Sequence, residues 1–235
     1  MRRQLQWLVL VTLGCVVAHV GLTDLHLRYV QPFMRPALIV TGAVLVLLGL
    51  ADLLMALRRG HHEQGHGAAP RTTWLLLLPV LCIGALTPPA LGSYSAQRAV
   101  DVSAVDNRSD EEIEAGFEAL AQDDVLELTL AEFNERAYWD ESKSLEGRTV
   151  RLVGFVSRSG EQDWELARMM MQCCAADAAA ILVTVTGQAS PARDQWVEVE
   201  GVWQPDDASI DPGSQPPTLA ATRVTAIPAP RNGYE

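Results

Sequence analysis

The sequence predicts two unlike parts: a membrane α-helical N-terminal region with three transmembrane helices, and a small all-β, OB-like barrel as the C-terminal domain. Three observations lead there. Three long apolar runs follow one another in the first 91 residues. The charge then inverts: residues 1–91 hold seven Lys/Arg against three Asp/Glu, and residues 92–235 hold 11 against 26. Finally, short stretches of alternating apolar and polar residues recur through the second half. So sharp a charge asymmetry argues for two environments.

The apolar runs cover residues 5–22, 37–57 and 74–91. The first has no Asp, Glu, Lys or Arg, the second only Asp52, and the third none, although Pro79, Pro88 and Pro89 interrupt it. Each approaches the length that crosses ~30 Å of hydrocarbon at about 1.5 Å per residue. Buried helices of a soluble protein are the plainer alternative, but three runs in succession with short polar loops favour a multi-pass protein of the cell membrane, in contact with lipid. The first run has the basic start of a signal peptide (Arg2, Arg3) but no small-x-small cleavage site after it, and reads as a helix. Arg2, Arg3, Arg58, Arg59 and Arg71 fall on one side of such a topology, and Arg28, Arg35 and Arg98 on the other. This imbalance places the N-terminus inside and the C-terminal domain in the extracytoplasmic space.

Between the second and third runs, His61, His62, Glu63 and His66 sit among glycines. Imidazole and carboxylate groups suit Zn(II), Ni(II) or Cu(II), while a flexible polar linker explains the same composition. His19 and Asp52 are ionisable groups inside apolar runs. Asp52 lies close enough to Arg58 and Arg59 to be interfacial.

Residues 92–126 read as an acidic linker and residues 127–230 as the β-domain. Thr129 with Glu132 three residues later is a helix-opening pattern, predicting a helix to about Trp139. Alternation then predicts strands over 148–157, 164–170, 180–186, 195–203 and 218–227, with an Asp211-Pro-Gly turn before the last. Five short strands suggest a closed barrel, with Gly154 and Gly201 at its bends.

The residues with most chemistry are Met169-Met-Met-Gln-Cys-Cys-Ala-Ala-Asp-Ala. Adjacent Cα atoms lie ~3.8 Å apart, so a disulfide between Cys173 and Cys174 is strained and reducible. Three readings stand: buried apolar packing, coordination of a soft metal or metalloid ion with Asp177 as an oxygen ligand, and redox exchange. A closed zinc site of Cys and His is excluded, because residues 92–235 hold no other cysteine and no histidine. Met169, Met170 and Met171 offer thioethers to Cu(I), but strand packing accounts for them.

The string Cys173-Cys-Ala-Ala-Asp-Ala resembles the YcgQ-like family of permease subunits. So do Leu145-Glu-Gly-Arg-Thr-Val-Arg-Leu-Val-Gly-Phe-Val, Trp74-Leu-Leu-Leu-Leu-Pro and Pro88-Pro-Ala-Leu-Gly. The resemblance implies a non-enzymatic accessory subunit working beside a separate multi-span permease. A membrane-tethered thiol redox protein using the cysteine pair is the alternative, although Cys-x-x-Cys and a thioredoxin-like βαβ pattern are both missing. No Gly-x-Ser-x-Gly or phosphate-loop motif supports a hydrolase. Three spans also make a poor transporter without repeats around a central site. The acidic half repels phosphate backbones, so nucleic acid is not an expected partner. A reporter active only outside the cytoplasm should be active when fused after Glu235 and silent when fused at Gly65; the reverse pattern overturns this orientation.

Overall fold

The computed structural model describes residues 3–58, 89–99, 101–103, 108–205 and 215–235. The chain divides into two compact units, Met1–Ala90 and Leu91–Glu235.

The first unit is a pair of packed helices, α1 (Arg3–Leu22) and α2 (Arg35–Arg58). Gly14, Ala18 and Gly21 repeat at one- and two-turn spacing on α1, and Gly42 and Gly49 do so on α2. These small residues let the backbones touch: a Cβ added at Gly14 would lie 2.8 Å from the Gly42 carbonyl oxygen, and one at Gly42 would lie 2.7 Å from the Ala18 nitrogen. Close approach over small side chains is how helices associate where lipid removes the hydrophobic drive. The turn between them is short 3-10 helix, tied by Arg35 Nε donating to the Gly21 carbonyl at 3.0 Å.

The expectation of three transmembrane helices is corrected in part. Among the described residues one helix, Pro32–Arg58, is long and apolar enough to cross a membrane. By length and composition it equally suits a signal sequence. Among the described residues the apolar part of α1 is the shorter Trp7–Leu22. Most of the third run, through residue 88, lies outside the described residues, as do His61, His62 and His66.

The second unit is a six-stranded mixed sheet: β1 (Val125–Glu127), β2 (Thr149–Arg158), β3 (Asp163–Met170), β4 (Ala179–Thr186), β5 (Trp196–Gln204) and β6 (Thr218–Ala226). Two short helices, α3 (Ser93–Ala96) and α4 (Asp110–Ala115), precede it, and α5 (Leu130–Trp139) lies between β1 and β2. The α5 start follows the predicted signal: Thr129 accepts the Glu132 N–H at 3.0 Å.

Five strands are where alternation places them, and the pairing passes from β2 to β3, β4, β6 and β5, then back to β2. Within this ring every pairing is antiparallel except β4 with β6. Inward residues alternate along each strand, with Val150 and Leu152 facing Leu166, Val183, Val197 and Val199 in one core. In β6 the alternation changes phase. Leu219 and Ala221 enter the core, Thr222 is the extra residue opposite the Glu200–Gly201 step, and Val224 packs inward again. Phe133 and Leu130 of α5 close the core, so the unit is not all-β.

The sixth strand is a further correction. β1 has three residues, too few to show a period, and pairs parallel with Thr149–Arg151 of β2. The segment expected to be an acidic linker is also tied down at points. Ser93 donates its N–H and hydroxyl to Asp194 at 2.7 and 2.9 Å, and the Leu182 N–H donates to Ser103 Oγ at 2.7 Å.

Strand register sets a line of alternating charge across four strands. Glu127 stands beside Arg151, Arg151 beside Glu200, and Glu200 beside Arg223. Arg151 reaches Glu127 at 2.7 Å and Glu200 at 2.8 Å, and Arg223 reaches Glu200 at 3.3 Å. The Arg151 hydrogen bond holds the Glu200 carboxyl below its ordinary value near 4.5, against a smaller opposing effect of burial. A lowered native value adds stability above the unfolded value and loses it as pH falls. Glu200→Gln should therefore flatten the loss of stability below about pH 4.5 relative to wild type. Leu152→Ala should cost about 2–5 kcal/mol at all pH values. Denaturant unfolding followed by the fluorescence of core Trp164 and Trp203 measures both effects; identical acid profiles for wild type and Glu200→Gln overturn the first.

Candidate thiol site

Between β3 and β4 the chain leaves the sheet, and Ala175–Asp177 form one 3-10 turn. The cysteines are therefore not on opposite faces of a strand. Cys173 is exposed and Cys174 half-buried in the loop ahead of that turn. Their sulfur atoms and an oxygen of Asp177 all lie within 4.8 Å of one another. The structure brings together the three residues singled out in this motif.

The reason is local. Cys174 and Asp177 form a reciprocal cap: the Cys174 sulfur accepts from the Asp177 N–H, and the Asp177 carboxylate accepts from the Cys174 N–H. Asp177 Oδ1 also accepts from Gln172 N–H at 3.0 Å, and Oδ2 from the N–H groups of Cys173 and Cys174 at 2.9 and 3.3 Å. One carboxylate thus gathers three successive amides and folds the loop around itself. The i, i+3 spacing that marks Thr129 and Glu132 as a cap also holds for Cys174 and Asp177, and is the signal by which this turn is legible in sequence.

Protonation follows from the same contacts. The Cys173 thiol is pushed up to about 12, first by its hydrogen bond to Asp177, then by that with Cys174 and by burial. Asp177 is lowered, chiefly by the Cys173 hydrogen bond and then, against burial, by the backbone amides. Cys173 is therefore a neutral thiol at neutral pH, and an ion binding there must displace its proton.

The methionines pack. Met169 and Met171 are buried with Phe155, Ala167, Ala180 and Tyr234, and Met170 packs against the main core. Sequence reasoning missed two charged neighbours of this strand end. Arg168 lies 5.0 Å from the Trp196 ring centre, and its Nε is 3.8 Å from Glu235 Oε1. The Glu235 carboxylate accepts the Leu130 and Ala131 N–H groups at 3.1 and 3.0 Å. Burial raises its pKa, opposed by those amides and by Arg168. No local sequence signal joins residues 168, 130 and 235.

Residues 105–235, more than half of the chain, match the DUF1980 C-terminal domain. The chain belongs to that family. The DUF1980 C-terminal domain contains the sheet, α5 and the thiol loop, and its presence agrees in outline with the YcgQ-like resemblance. No curated protein matches the chain. Among solved structures, a protein described as an aspartyl-tRNA synthetase from Leishmania major Friedlin is 11% identical at a TM-score of 0.28. The match covers 52% of this chain and 22% of that one. Likeness at that level carries no argument for the DUF1980 C-terminal domain.

Asp177→Asn removes the charge while keeping an oxygen for the amides. It should lower the Cys173 pKa from about 12 toward the ordinary thiol value and speed alkylation of Cys173 at pH 8 by about tenfold or more. Cysteine-resolved mass spectrometry over a pH series measures this, and an unchanged profile refutes the role given to Asp177.

Proposed function

We propose that this protein is an accessory subunit of a membrane permease, whose C-terminal domain is an OB-like barrel presenting a site for a soft thiophilic metal or metalloid ion. The observation that carries the ion reading is the convergence of two thiols and a carboxylate within 4.8 Å on a loop already folded by its own hydrogen bonds. Paired thiols suit soft ions, and a preformed loop lowers the entropy that binding must overcome. The barrel reading is supported by the ring of pairings from β2 back to β2, with its single parallel contact.

Nucleic acid is disfavoured as the barrel's partner on two grounds. The second unit is strongly acidic. In addition, the β3–β4 side, where OB folds commonly take oligonucleotides, is packed by the chain's own flanks. Ala96, Leu91 and Tyr234 cover Phe155, Met169 and Ala180, and Asp101 bridges to Ala180. The thiol redox alternative is disfavoured by the same Asp177 that assembles the loop, since a thiol raised to about 12 is a poor nucleophile at neutral pH.

The accessory role is supported by the apolar helical pair and by the YcgQ-like resemblance. In this reading the extracytoplasmic domain captures or senses an ion beside a separate multi-span permease. The reduced full-length chain in detergent should bind about one equivalent of Zn(II), Cu(I) or trivalent arsenic. Cys173→Ser and Cys174→Ser should each abolish most of that affinity, and a multi-span protein should co-purify from native membranes. Calorimetry and mass spectrometry read the two arms. Binding of none of the three ions rejects the site, and the lack of a membrane partner rejects the accessory role.

A further inference from the structure

The thiol loop has a second anchor, outside its own sequence. Four consecutive amides lead into it. Those of Gln172, Cys173 and Cys174 donate to Asp177, while the first, Met171 N–H, donates to the Glu235 main-chain oxygen at 3.1 Å. Glu235 N–H donates to the Met169 carbonyl at 3.0 Å, so residue 235 brackets the end of β3 from both sides of Met170. Its carboxylate sits on the first two amides of α5 and 3.8 Å from Arg168 Nε. The side chain thereby ties the residue to α5 and β3 while its backbone holds the loop's root. Asp177 cannot replace this link, because both of its oxygens are engaged within the loop.

We infer that Glu235 is a positioning residue for the thiol site: by gripping α5 and Arg168 it fixes the β3 end from which Cys173 and Cys174 are presented. Without its carboxylate the 235 backbone is no longer held against Met169 and Met171, and the row of amides loses its fixed start. The thiols then sample orientations in which Cys173 leaves Asp177. The affinity arm of the test rests on the ion reading above; the reactivity arm does not.

The test uses the reduced full-length chain in detergent as wild type, Glu235→Ala, Glu235→Gln and Arg151→Ala. The last is a stability control, since its ion-pair partners are Glu127, Glu198 and Glu200. Denaturant unfolding ranks the variants, iodoacetamide labelling reads each cysteine, and titration with Zn(II) and phenylarsine oxide reads affinity. Glu235→Ala should lower ion affinity by about tenfold or more and speed Cys173 alkylation by about fivefold or more. Glu235→Gln keeps an oxygen for the α5 amides and should stay within about threefold of wild type. Arg151→Ala should leave both readouts at wild-type values. Wild-type alkylation of Cys173 in Glu235→Ala overturns the inference, as does Arg151→Ala matching it in both readouts. If the wild type binds neither probe, the ion reading fails and the alkylation rates alone decide the role of Glu235.

Discussion

Strand β2 shares its ten residues among three partners, and the core is built around that sharing. Thr149–Arg151 pair with β1, Thr149–Phe155 with β5, and Phe155–Arg158 with β3. Phe155 is the crossover, opposite Ala167 on one side and Trp196 on the other. The pairing runs from β2 through β3, β4, β6 and β5 back to β2, and a sheet whose last strand bonds its first must curve. Curvature brings the inward valines and leucines onto one another. Register places Glu127, Arg151, Glu200 and Arg223 in a line across four neighbouring strands.

The same pairing sets where the thiols appear. β3 ends at Met170 and β4 begins at Ala179, in register with each other. The eight intervening residues must reverse direction without sheet hydrogen bonds. Asp177 supplies those bonds instead by accepting three backbone amides, and in doing so faces its carboxylate toward both thiols. The structural task of closing a turn and the chemical task of assembling a thiol–carboxylate cluster therefore fall on one side chain. A neutral, hydrogen-bonded Cys173 is the consequence: the loop is kept protonated until something stronger than a proton competes for its sulfur.

In the helical unit the controlling constraint is size. The Gly14–Gly42 and Ala18–Gly42 approaches bring two backbones closer than any larger side chain permits. The remaining surface of α2 is then free to be apolar, as exposed Val40, Leu47, Leu54 and Leu57 show. This division suits a helix pair whose outer face meets an apolar surrounding.

Five strands and α5 were legible in the sequence because their signals are local. Alternation has a period of two, and Thr129 with Glu132 caps a helix within four residues. The nearness of Cys173, Cys174 and Asp177 was legible for the same reason, since the three lie within five positions. What the sequence could not decide is whatever depends on residues far apart in the chain. β1 is too short to show a period and exists only because β2 offers an open edge. The phase change at Thr222 answers a step in β5 rather than anything in β6. Glu198 and Glu200 look equivalent by alternation, yet only Glu200 falls between two arginines. Glu235 became a helix cap and a clamp on β3 only when curvature brought residues 130, 168 and 171 to it. Short-range geometry is written in spacing, whereas long-range partners are chosen by the pairing of the strands.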